Sequence, residues 1–168
     1  MQGGERGMVF RLSALPKVKL PGKLYAVEVY SEVDDKDITA IRNILWYQLR
    51  INPYASWFLA LSNTDSKTAF KYSERTGKRG RPKTKVDGDK VKNHVHIGVM
   101  GNADKSGYSM AKNVAKSINK RASKKITRVI SMQGAGFITY SYQQAYSFHQ
   151  GGDFDFLQCK DDFFIEVI

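Results

Sequence analysis

The stretch Asn93-His94-Val95-His96-Ile97-Gly98-Val99 decides how the rest of the chain is read. Apolar residues recur at every second position, the signature of a half-buried strand. Side chains alternate faces along a strand, so His94 and His96 leave from the same face, about 6.6–6.8 Å apart along the backbone, while Val95, Ile97 and Val99 fill the other. Two of the three histidines in the chain stand here. The spacing suits two ligands of one cation, and it also suits an ordinary polar face laid over an apolar one. The company the pair keeps has to separate these readings.

The first companion is charge. The 168 residues carry a net charge of +11, and its placement is uneven. From Lys71 to Asn93 nine lysines and arginines face three carboxylates, and from Lys105 to Arg128 eight face none, so the remainder of the chain is slightly acidic. Positive charge thus brackets the histidine strand on both sides, a field that attracts polyphosphate and speeds its encounter. Within the first block, Lys78, Arg79, Arg81 and Lys83 surround Gly77, Gly80 and Pro82 and are expected to contact DNA from a basic loop or hairpin over residues 71–93. The core of that loop, Arg79-Gly80-Arg81-Pro82, resembles an AT-hook. In the second block Lys112, Lys116 and Lys120 recur every fourth residue, a cationic helix face that fits a nucleic-acid backbone or a solvated surface.

Length and composition fit one domain over residues 1–168, with residues 1–22 as an irregular lead-in. No apolar run approaches the roughly 20 residues of a membrane helix, and the single Cys159 has no intrachain partner. An intracellular, cytoplasmic setting without a membrane partner is expected.

Working outward, Leu24-Tyr25-Ala26-Val27-Glu28-Val29-Tyr30 reads as a strand. Asp34 or Asp35 then caps a helix whose stripe is Ile38, Ile41, Leu45 and Leu49, stopped by Asn52-Pro53. Ser56 to Ser62 reads as a strand buried on both faces. After the histidine strand, Met110, Val114 and Ile118 mark a second helix, Ile126 to Met132 a fourth strand, and Phe137 to Phe148 a third helix ended by Gly151-Gly152. The tail from Asp153 to Ile168 is expected to return as a strand or pack over the core. This order predicts an α+β fold, an antiparallel sheet with helices on one face.

On the third helix Tyr140 and Gln144 lie four residues apart and share a face, as do Tyr142 and Tyr146 on another. A tyrosine that attacks phosphorus stores the phosphodiester bond as a phosphotyrosine, whereas water releases it. The phosphate is negative and the phenol weakly acidic, so such a site calls for a divalent cation. Two imidazoles on a strand and a third ligand on a nearby helix hold one. The nucleophile is left open between Tyr140 and Tyr142, and the third ligand among Gln144, His149 and Glu74.

In order, Trp57-Phe58-Leu59-Ala60-Leu61-Ser62, His94-Val95-His96 and Tyr140-Ser141-Tyr142-Gln143-Gln144 resemble the three motifs of the HUH endonucleases, the rolling-circle replication initiators and single-domain tyrosine transposases. The resemblance spans roughly Tyr25 to Phe148. It implies a ferredoxin-like sheet, with His94 and His96 binding Mg2+ or Mn2+ and Gln144 completing the site as in the transposase branch. It also implies that Tyr140 becomes joined to the 5′-phosphate of single-stranded DNA at an origin hairpin or element end. The chain departs from the replication branch, which carries lysine three residues after the tyrosine where Gln143 and Ala145 stand here. The Tyr142 and Tyr146 spacing is similar to the paired tyrosines of phage initiators. A plasmid, phage or virus origin is expected on this reading, and, without a Gly-x-x-x-x-Gly-Lys-[Ser/Thr] loop, a separate helicase.

Two rival readings accompany this one. The same sheet serves a non-catalytic module that binds single-stranded DNA or RNA by stacking bases on tyrosines. An architectural binder of duplex DNA would act through Arg79-Gly80-Arg81-Pro82 instead.

Overall fold

A computed structural model describes residues 10–14, 18–64, 90–102, 104–132, 134–160 and 163–167. The basic loop candidates Lys78, Arg79, Arg81 and Lys83, and Glu74, lie outside the described residues.

Along the chain run β1 (Phe10–Ala14), β2 (Leu24–Val29), α1 (Asp35–Ile51), β3 (Ser56–Thr64), β4 (Lys90–Met100), α2 (Asp104–Ala122), β5 (Thr127–Met132), α3 (Gly136–Gln144), β6 (Ala145–Gly152), a 3-10 turn (Phe156–Cys159) and β7 (Phe163–Val167). From β2 to β5 the order is β-α-β-β-α-β, and the strands lie β5-β2-β4-β3 in space, with every neighbouring pair antiparallel. This is the split arrangement called ferredoxin-like. β6 adds a fifth strand against β3, and β1 pairs with β7 as a separate ribbon.

Local chemistry sets the boundaries. Asp34 caps α1 with a reciprocal box: its carboxylate accepts from the Asp37 backbone N–H at 2.8 Å, and its own N–H donates to the Asp37 carboxylate at 3.0 Å. Ile38, Ile41 and Leu45 face the sheet, and buried Gln48 accepts from Asn113 of α2 at 3.4 Å. α1 and α2 close one core over Val27, Trp57, Leu59, Leu61, Val95, Ile97 and Val99. On the opposite face a smaller core gathers Leu24, Phe58, Ala60 and Met100 under α3 and the 3-10 turn. β3 is buried from Ser56 to Ser62, as expected of a strand covered on both sides.

Three expectations change. The third helix stops at Gln144 rather than running to Phe148, because Ala145 to His149 pairs with the open edge of β3 and delivers Phe148 onto Phe58 (ring centroids 5.4 Å, stacked). The lead-in contains β1, whose alternating Phe10-Arg11-Leu12-Ser13-Ala14 pairs with the tail strand. Lys90 to Asn93, at the end of the basic block, belong to β4.

Candidate active site

His94 and His96 leave β4 on the α3 face of the sheet. Their cross-strand neighbours on β3 are Ser62 and Ala60, and Ala60 belongs to the smaller core. The two imidazoles stand 5.1 Å apart, centroid to centroid, at 81°. The small Ala60 leaves the space beside His96 for residues from α3. Phe137 and Tyr140, one helical turn apart, bring their rings to 6.3 Å and 5.7 Å from it.

α3 is held in place from beneath. Ile138 is fully buried, and the Thr139 hydroxyl donates to the Cys159 carbonyl, which ties the helix to the 3-10 turn. That turn is fixed in its own right: Gln150 accepts from the Phe156 N–H at 2.7 Å and donates to Asp155 at 2.9 Å. The Phe58 ring sits among Phe137, Phe148 and Phe156. Gly98, two residues from His96, admits it: a Cβ there would come within 2.0 Å of the Phe58 ring.

Burial, and secondarily the charge of His94, push the His96 imidazolium down to about 4. At neutral pH His96 is therefore an uncharged ring with a free lone pair. Its Nε2 is buried and has no hydrogen-bond partner among the described residues. Burying such an atom without a partner costs free energy; the Trp57 Nε1 and the Ser141 hydroxyl are in the same position among the described residues.

Tyr140 is 39% exposed, so its phenol adjoins His96 and also meets solvent. Gln144 follows one turn later on the same side of α3, half-buried. Tyr142 turns to Phe148, with ring centroids 5.5 Å apart. Tyr146 lies on β6, so the expected Tyr142 and Tyr146 pair shares no helix face. His149 pairs with Leu59 across β3 and so projects from the α1 face, opposite His94 and His96, where its Nε2 lies 3.0 Å from the Ser147 hydroxyl. As a third ligand it is displaced by the sheet itself.

The residue that sequence reasoning missed is Glu28. It stands directly across β2 from His96, on the same face. Its Oε1 accepts from the Tyr30 hydroxyl at 3.0 Å and pairs with the Arg128 guanidinium at 3.2 Å. A carboxylate inside an apolar strand is the signal that was present, but its meaning depends on register.

No family model matches the chain, and neither do curated proteins or solved structures.

Among the described residues no three of His, Cys, Asp and Glu are grouped as a ready chelate. A cation here would take two imidazole nitrogens from His94 and His96 and a further oxygen from outside that set, for which the candidate on α3 is Gln144, one turn after Tyr140. The orphaned Nε2 and the uncharged state of His96 fit that role.

Lys112, Lys116 and Lys120 lie on the exposed side of α2, which packs on the other face of the sheet. The structure does not bring them to the histidine pair. Among the described residues no helix is long and apolar enough to cross a membrane.

Proposed function

We propose that the chain is a metal-dependent HUH-type endonuclease and strand transferase that nicks and rejoins single-stranded DNA through a 5′-phosphotyrosine, as a rolling-circle replication initiator does. One observation carries the reading: two imidazoles from β4 and the phenol of Tyr140 meet on one sheet face, with the Nε2 of His96 buried and unpartnered.

In this reaction Tyr140 Oη attacks phosphorus, the bond from phosphorus to the 3′-oxygen breaks, the phenolic proton passes to solvent, and the departing 3′-oxygen takes a proton from solvent to become a hydroxyl. A bound Mg2+ or Mn2+ would polarise the scissile phosphate and offset its charge. His94, His96 and Gln144 would hold the cation, and the Phe137 ring flanks His96 at 6.3 Å. Glu28 carries a carboxylate directly across from His96, where it contacts Tyr30 and Arg128.

The test is incubation with an end-labelled single-stranded oligonucleotide library in Mn2+. A covalent protein-DNA adduct that EDTA prevents supports the proposal. Binding that EDTA leaves untouched, with no adduct under any condition, leaves a non-catalytic single-strand module instead.

A further inference from the structure

We infer that the outer face of α2 is a second nucleic-acid surface, one that grips the backbone of duplex DNA on the side of the molecule away from the histidine pair. Lys112, Lys116 and Lys120 are exposed at four-residue spacing, and Lys124 and Lys125, just past the end of the helix, are exposed too. Like charges four apart destabilise a helix by about 0.2–0.5 kcal/mol per pair, while Lys120, in the last turn, also gains from the helix dipole. The chain has no carboxylate between Lys105 and Arg128. Ion pairs among the described residues engage Arg121, with Asp37 at 3.2 Å, and Arg128, with Glu28, but none of these five lysines. α2 persists because Met110, Ala111, Val114, Ala115 and Ile118 anchor its inner side.

Position makes this surface distinct. The sheet lies between α2 and the histidine pair, so a strand threading past His96 does not touch α2 unless it wraps a sheet edge. A separate segment of nucleic acid must supply the phosphates. Single-strand sites interleave cations with rings on which bases stack. Along this row the exposed ring is Tyr108, and the Lys112 ammonium already covers it at 4.9 Å from the centroid. The rings that flank the histidines, Phe137 and Tyr140, are on the opposite face. From Lys112 to Lys120 the lysines climb about 12 Å along α2 while turning by roughly 80° around its axis, and the same length of the rigid, densely charged duplex carries roughly seven phosphate charges.

The inference does not depend on the phosphotyrosine chemistry. Its test is the affinity of the full chain for a blunt 20-base-pair DNA, measured by fluorescence anisotropy from 50 to 300 mM salt, beside a single-stranded octanucleotide. Lys112→Gln, Lys116→Gln and Lys120→Gln together should weaken duplex binding by on the order of tenfold or more and flatten its log-log salt slope by about 2.7, at roughly 0.9 for each phosphate no longer neutralised. The octanucleotide should lose far less. A control with the same charge change at exposed Lys19, Lys36 and Lys160 separates location from total charge. An unchanged duplex slope, an equal loss in the control, or an equal loss on the octanucleotide would overturn the inference.

Discussion

The ring of Tyr140 stands 5.7 Å from that of His96 and nearly perpendicular to it, at 80°. Forty-four positions of chain separate the two residues, and the smaller of two cores brings them together. Tyr142, two residues further along the same helix, instead lies against Phe148.

This difference separates the two phenols as nucleophiles. Tyr140→Phe should reduce the covalent adduct to background, a loss of at least about a thousandfold, because removing a nucleophile removes the step itself. Tyr142→Phe keeps the ring against Phe148 and should retain adduct within about threefold. Denaturing gels with labelled oligonucleotide measure both, and mass spectrometry of the digested adduct identifies the modified residue.

Two imidazoles make the site softer than the all-oxygen cages that Mg2+ prefers. Mn2+ should therefore support adduct formation at lower concentration than Mg2+. In the absence of DNA, Mn2+ at a hundred times its dissociation constant should stabilise the fold by about 2.7 kcal/mol. Thermal unfolding with and without Mn2+ checks this, and His94→Ala should abolish the increment.

His96 ties stability to pH. Its folded-state value is about 4 against 6.5 for a free histidine, so between these limits the unfolded chain binds the extra proton. Stability from this group is fully present above pH 6.5 and is lost as pH falls towards 4, by up to about 3 kcal/mol. His96→Gln should flatten that part of the profile. Urea unfolding of both proteins at pH 7, 5.5 and 4.5 isolates the difference.

Gly98 links packing to the site. A methyl group added there collides with Phe58, whose ring also carries Phe137, and overpacking of this kind costs about 1–3 kcal/mol. Gly98→Ala should lower the melting temperature and also reduce adduct formation at temperatures where the protein remains folded. Equal activity per folded molecule would show that Phe58 does not position α3.

Much of the fold was legible because local and tertiary signals agreed. The period of two around His94 and His96, the helical stripe Ile38-Ile41-Leu45 behind a capping aspartate, and the unbroken apolar run of β3 each admit one main reading, and each stands as expected. The end of α3 was not legible. Tyr140 to Phe148 satisfies helical spacing and strand alternation at once, and the choice is made by the open edge of β3, which no local pattern encodes. Glu28 was invisible as a neighbour of His96 because only register places it there. The side taken by the lysine row follows from β4: the helices cover Val95, Ile97 and Val99, so whatever α2 presents outward points away from the histidines.

α3 passes into β6 without an intervening residue, Gln144 being the last of one and Ala145 the first of the other. A helix moored to a sheet edge in this way makes a poor swinging arm. In the proposed reaction the 5′ end taken up by Tyr140 would stay parked while the liberated 3′ end, or a competing one, travels to meet it. The direction of traffic during rejoining would then be set by the DNA, with the protein serving as the fixed berth.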